Sequence, residues 1–283
     1  MKQLKIFGLD LDGTITEHEY QMTTHLTAIQ DGMANLIGID GLQFMHQLEV
    51  EIRLNPHYHG WRHGDKIVAP PQPNKLLMLA AIAEAALDRK RLFLDHAERH
   101  QRLTRIYQDA YLLQGAHFRP NAARALEAFA EITPHLHVVT NSVVGPAQNR
   151  LRQLQEEQNG NPQIFDRLVK SVRGSAQKNK LILDLDAVPE QWWIAGLSRP
   201  VYPRRGLYHN ALQAILDEHG ATWIDLTVVG DVFELDLLYP FLRGSKIVLM
   251  SDHNTPDYER QLAAAYPERM RVITDLMEVV KCN

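Results

Sequence analysis

The chain has 283 residues, 45% hydrophobic and 23% charged, with a formal net charge of -4 and an isoelectric point near 6.4. This balance fits a globular protein of one large or two modest domains, and it lacks the basic excess of a general nucleic-acid binder. The single cysteine, Cys282, excludes an intrachain disulfide framework and a multi-thiolate zinc cluster. No apolar run reaches the roughly 18 residues of a membrane span, and the first strand begins too close to Met1 to leave room for a signal peptide. The expectation is a cytoplasmic protein with neither a membrane nor a nucleic-acid partner.

The first element is an apolar strand, Lys5-Ile6-Phe7-Gly8-Leu9, running into Asp10-Leu11-Asp12-Gly13-Thr14. A near-continuous apolar run reads as a buried parallel strand. Period two puts Asp10 and Asp12 on one side of the extended backbone, and Gly13 permits a sharp turn. Two like charges so close need a cation or a proton to offset them, and an oxygen-only donor set favours Mg²⁺. Taken alone, the motif fits an Asp/Gly turn equally well.

Residues 15–117 read mainly as helices. Leu26, Ile29, Met33, Leu36 and Ile37 recur at helical spacing, and a second helix covers about Leu42 to Leu54. A loop follows, Asn55 to Asp65, carrying His57, His59 and His63; ordinary surface or aromatic packing is the leading account of these histidines, and substrate selection is the alternative. Pro70, Pro71 and Pro73 bar a helix here. Asn74 is a candidate N-cap for a helix through Leu87, and another carries Leu92 to Tyr107. Glu17 and His18, just past the first motif, are candidates for substrate contact.

From residue 118 strands alternate with helices, which implies a doubly wound parallel sheet. Ala122 to Phe129 is helical, and Leu136 to Val139 is a strand ending in Thr140-Asn141. Pro146 to Gln155 is helical, and Ile164 to Val172 contains a third candidate strand. Residues 174–198 carry no clear period. Leu207 to His219 is an amphipathic helix. Trp223 to Gly230 is a strand leading into Asp231, with Asp236 five residues on, and Lys246 to Met250 is another strand, before Asp252. A helix near Gln261–Tyr266 and a strand at Val272-Ile273 close the chain. Right-handed crossovers bring the acidic and hydroxylic strand ends to one edge.

Asp10-Leu11-Asp12-Gly13-Thr14, Val138-Val139-Thr140-Asn141 and Gly230-Asp231 with Asp236 occur in the order and strand context of three of the four motifs of the haloacid dehalogenase-like hydrolase superfamily, which the chain resembles over residues 1–14 and 118–283. The resemblance implies a Rossmann-like α/β core with residues 15–117 as an inserted α-helical cap. The third motif departs from the pattern: where the superfamily has a lysine, often as Lys-Pro-x-Pro, this chain has Arg199-Pro200-Val201-Tyr202-Pro203. Arg199 is the first candidate for the missing cation, since Arg can hold phosphate in a fork; Lys178 and Lys180 are the others.

The resemblance further implies a phosphatase of a small phosphorylated metabolite. Asp10 would be the nucleophile of an aspartyl-phosphate route and Asp12 the general acid/base. Asp10, the Asp12 carbonyl, Asp231 and Asp236 would hold Mg²⁺, and Thr140, Asn141 and Arg199 would bind phosphate. Asp12 favours phosphate-ester cleavage over dehalogenation, which needs no acid two residues after the nucleophile. The alternatives are a sugar-phosphate mutase or nucleotidase of the same superfamily, or a catalytically weak member that only binds a phosphorylated ligand.

Overall fold

A computed structural model describes residues 4–17, 23–38, 41–111, 116–182 and 184–280. Six parallel strands form its centre: β1 (Ile6–Leu9), β4 (Leu136–Val139), β5 (Val172–Arg173), β6 (Leu226–Gly230), β7 (Lys246–Met250) and β8 (Met270–Ile273). Their order is β5-β4-β1-β6-β7-β8. β1 therefore lies between β4 and β6, with Leu9 opposite Val138 on one side and Val229 on the other. The first crossover leads away from β1 in one direction and β6 to β8 extend in the other. A crevice at the carboxyl ends of the strands is where such sheets bind ligands.

Helices cover both faces, so β1, with all four residues buried, has no solvent side and reads as a continuous apolar run. On one face α8 (Gly206–Glu218) and α10 (Asp257–Ala265) pack Tyr208, Leu212, Ile215 and Leu262 against Ile6, Val228 and Leu249. On the other, α5 (Ala122–Ile132), α6 (Val144–Glu157) and α7 (Pro162–Lys170) pack Leu126, Phe129, Leu151 and Phe165 against Phe7, Leu9 and Val138. The Phe7 and Phe129 rings meet edge to face with centroids 5.0 Å apart. The α/β class expected from the alternation is the one observed.

Residues 164–172 differ from expectation. Ile164 to Lys170 belongs to α7, started by Pro162 and capped by the Asn161 side chain, which accepts the Gln163 N–H at 3.0 Å. Its apolar residues Phe165, Leu168 and Val169 form the buried face, a helical spacing that a short window mistakes for a strand. Only Val172 and Arg173 pair with β4.

Helices α1 (Thr23–Ile37), α2 (Gly41–Leu54), α3 (Lys75–Lys90) and α4 (His96–Tyr111) build a separate apolar cluster around Ile29, Met33, Leu48, Ile82 and Leu103. Asn74 caps α3 as expected, accepting the Leu77 N–H at 2.9 Å. The stretch expected to be a loop instead contains an antiparallel hairpin of β2 (Trp61–His63) and β3 (Lys66–Ala69). The chain leaves and re-enters the sheet region through a narrow neck: Thr16 bridges Phe118, the Glu17 N–H donates to His117 O, and the Arg119 N–H donates to Ile15 O. No helix among the described residues is long and apolar enough to cross a membrane.

Candidate active site

The ends of the three central strands supply the site. Asp10 directly follows β1, Thr140 follows β4, and Asp231 follows β6. Gly13 sits at φ 89°, a left-handed conformation that favours glycine, and its carbonyl accepts from Arg119 Nη2 at 2.6 Å. A Cβ on Gly230 would stand 2.4 Å from the Asp236 Cβ. The absent side chain therefore lets Asp236 fold back over the end of β6. Asp236 lies in a π-helical turn, Phe233–Leu237, a local widening common at functional sites. Its Oδ2 accepts the Val232 N–H at 3.0 Å, and its carbonyl accepts from Tyr208 Oη at 2.7 Å.

Asp10, Asp231 and Asp236 are all buried, and each offers a carboxylate oxygen within 4.8 Å of the others. Among them stands Lys178, 2% exposed, with Nζ 2.5 Å from Asp10 Oδ1 and 2.7 Å from Asp236 Oδ1. Burial drives the Asp10 carboxyl well above its usual value. Lys178 opposes this, while Asp236, Asp231 and Asp12 reinforce it. Asp236 is raised for the same leading reason. Burial disfavours the Lys178 ammonium, but Asp10 and Asp236 outweigh it and its pKa rises. Three buried carboxylates gathered this closely repel one another, which a nearby cation offsets. An oxygen-only donor set of this kind fits a hard divalent cation such as Mg²⁺.

The cation in contact with Asp10 is Lys178, not Arg199. The Arg199 guanidinium grips Glu234, Nη1 to Oε2 at 2.9 Å and Nη2 to Oε1 at 2.7 Å, and Tyr258 Oη donates to the same Glu234 at 2.8 Å. Arg199 is thus buried in a pair of its own rather than set on Asp10. Lys178 reaches Asp10 from the segment after β5 because its backbone is held against the β4 end. The Ala176 N–H donates to Thr140 O, and the Lys178 N–H donates to Asn141 Oδ1 at 2.7 Å. The Asn141 side chain thus orients the lysine loop. The Thr140 hydroxyl accepts the Ser142 N–H at 3.1 Å, leaving its own proton to donate.

Asp12 is held from the β4 side: Ser142 Oγ donates to its Oδ2 at 2.6 Å and Arg150 of α6 pairs with its Oδ1. Neither partner was evident from sequence. Arg150 sits on an amphipathic helix where a single arginine reads as surface, yet it is only 6% exposed.

The remaining candidates are placed as follows. His57 Nδ1 meets Ser198 Oγ at 2.6 Å, and His63 Nδ1 accepts the Leu181 N–H at 2.6 Å; both fasten the hairpin region to the segment after β5. His59 lies below its usual pKa, chiefly through burial. Asp252 closes a turn, its Oδ1 accepting the Asn254 N–H at 2.8 Å. Glu17 is in the neck, and His18 lies outside the described residues.

A central β1 with an acid at its carboxyl end, flanked by strands ending in Thr140 and Asp231, places this chain in the haloacid dehalogenase-like hydrolase fold. Solved structures of that fold align along nearly the whole chain. One is a predicted phosphoglycolate phosphatase from Haemophilus somnus, with a TM-score of 0.53, 16% identity, and coverage of 99% of this chain and 98% of that one. Another is a haloacid dehalogenase-like family hydrolase from Streptococcus pneumoniae, with a TM-score of 0.52, 13% identity, and coverage of 99% of both chains. No family model and no curated protein matches the chain.

Proposed function

We propose that the protein is a Mg²⁺-dependent phosphoric monoester hydrolase acting on a small phosphorylated metabolite. The observation that carries this reading is the contact of Lys178 Nζ with Asp10 and Asp236 at the ends of adjacent strands. An attacking carboxylate, a fixed ammonium and an oxygen donor set for a divalent ion then share one buried cluster. Asp10, Asp231 and Asp236, with the Asp12 carbonyl, would hold the metal, which when bound offsets the repulsion between carboxylate and phosphate.

The residues divide the reaction as follows. An Asp10 oxygen attacks phosphorus as the ester P–O bond breaks, and Asp12 gives its proton to the departing oxygen. The aspartyl-phosphate is then opened by water, which attacks phosphorus and loses its proton to Asp12, releasing inorganic phosphate and restoring Asp10. Lys178 and the Thr140 hydroxyl stabilise charge on the transferring group, the main form of catalysis available to phosphoryl transfer. Residues 15–117 act as a cap hinged at the Thr16–Phe118 neck, closing over the pocket and excluding water. The binding-only alternative drew its support from a missing lysine, and Lys178 supplies that charge.

The test is phosphate release from p-nitrophenyl phosphate and a panel of metabolite phosphates, with Mg²⁺ or with EDTA. Release that needs Mg²⁺ and vanishes in Asp10→Asn is the expected result. Release that persists in Asp10→Asn, or no release from any ester, would sink the reading.

A further inference from the structure

We propose that the β2–β3 hairpin latches the inserted helices shut over the Asp10 site, and that uptake of a proton by His63 releases the latch. The latch takes from the preceding reading only that residues 15–117 move as a cap, and it does not depend on the reaction at Asp10.

The hairpin and the turn before it are bound to one stretch of the sheet region, residues 181–205, between β5 and α8. The Leu181 N–H donates to His63 Nδ1 at 2.6 Å. The Ser198 N–H donates to His57 Nδ1 at 3.4 Å, and Ser198 Oγ lies 2.6 Å from the same nitrogen. Lys66 Nζ is 3.4 Å from Glu190 Oε1 and lies over the Tyr202 ring, 5.4 Å from its centroid. Arg205 Nη2 donates to the Val68 carbonyl at 2.8 Å and to the Glu234 carbonyl at 3.3 Å, so one guanidinium ties the hairpin to the turn that carries Asp236. Beside these bonds Ala69 and Leu77 pack with Val232 and Leu235, and Val232 directly follows Asp231. The hairpin therefore sits on the site itself, and the cap cannot swing about the Thr16–Phe118 neck without parting these contacts.

His63 is the contact that acid breaks. A backbone N–H only donates, so His63 Nδ1 accepts with its lone pair, and the neutral ring carries its proton on Nε2. Protonation adds an N–H at Nδ1 that faces the Leu181 N–H, and two opposed donors replace a hydrogen bond. His57 has no such conflict, because the Ser198 hydroxyl beside it can turn to accept. The surroundings of His63 add to the cost. Burial lowers its pKa first, and His100 on α4, Arg205, Lys180 and Lys66 lower it further. In an open cap the ring returns to the ordinary imidazole value near 6.5. The closed form has the lower value, so the latch holds fully above about pH 6.5 and weakens as pH falls through the closed-form value. The Arg205 and apolar contacts do not change over this range, so the proton shifts a balance between closed and open forms.

Pulsed electron paramagnetic resonance tests this on the full chain, with nitroxides on Arg105→Cys of α4 and Glu156→Cys of α6 in a Cys282→Ser background. Both label positions are exposed. With His63 intact, lowering the pH from 8 to 5.5 should raise a second distance population roughly tenfold relative to the first. His63→Asn offers an amide oxygen in place of Nδ1 and does not titrate, so it should keep the pH 8 distribution at both pH values. His63→Leu has no acceptor and should show the second population at both. Identical distributions at the two pH values with His63 intact, an equal shift in His63→Asn, or a His63→Leu protein that stays closed would each overturn the latch. None of these results bears on phosphate release, and a protein that hydrolyses no ester yet shows the expected distances would lose the phosphatase reading and keep the latch.

Discussion

Arg150 of α6 and Ser142 clamp the two oxygens of Asp12, so the carboxylate two residues after the nucleophile has a fixed orientation. An acid that must serve a departing oxygen and then a water gains from such positioning. In Arg150→Met, kcat for alkyl phosphates should fall roughly tenfold further than kcat for p-nitrophenyl phosphate, since general acid catalysis matters most for a poor leaving group. A purely structural role for Arg150 would lower both equally. Arg150→Lys should recover part of the difference.

Lys178 is the only cation bonded to Asp10 and Asp236 among the described residues. Lys178→Met should lower phosphatase kcat by about a hundredfold or more, the scale of losing one positioned charge donor. It should also lower the melting temperature, because it leaves two buried carboxylates without their ammonium. Added Mg²⁺ should raise the melting temperature of this variant by more than that of the wild type. An equal rise in both would show that lysine and metal do not offset the same carboxylate repulsion.

Arg199 and Glu234 should behave as a structural pair. Arg199→Met should destabilise the protein by about 3–5 kcal/mol by stranding a buried charge. Arg199→Met/Glu234→Gln should recover part of that cost in urea unfolding, giving a coupling energy distinct from zero. A large change in KM for the phosphate ester with unchanged stability would instead return Arg199 to the phosphate.

His137 on β4 lies with Nε2 2.9 Å from His219 Nε2. Burial, then His219, brings its pKa down to about 4. The folded value lies below the unfolded one, near 6.5. As pH falls, the unfolded chain therefore takes up the proton first. The stability contributed is fully present above about pH 6.5 and is lost as pH falls towards 4. Urea midpoints at pH 7 and pH 4.5 should show the wild type losing on the order of 2 kcal/mol more than His137→Leu. Parallel losses in the two proteins would rule this out.

Much of the site could be read from the chain because its acids end short apolar strands. Ile6 to Leu9 before Asp10, Leu136 to Val139 before Thr140 and Leu226 to Gly230 before Asp231 each announce themselves by composition. Lys178 stood only as an alternative to Arg199, because residues 174–198 carry no clear period and their path is set by distant partners such as Asn141 Oδ1 and Thr140 O. Arg199 drew notice through the prolines around it, a local pattern that says nothing of Glu234 waiting across the fold. Misplacing the third strand in α7 compounded this, since it hid how soon after β5 the lysine arrives. The hairpin at Trp61–Ala69 was missed because its glycines and the following prolines read as loop, whereas its strands are defined by pairing with each other.

The position of β1 also bears on how the protein is made. It leaves the ribosome before the other strands of its sheet, and its neighbour β4 follows well over a hundred residues later, β6 more than two hundred. At synthesis rates of about 5–20 residues per second, this wholly apolar strand spends on the order of ten seconds or more with at least one edge bare. During that interval α1 to α4 can pack Ile29, Met33, Leu48, Ile82 and Leu103 into the cluster they share. Release of the nascent chain before Val229 emerges would free a strand with no partner on the β6 side, the kind of edge that recruits other chains.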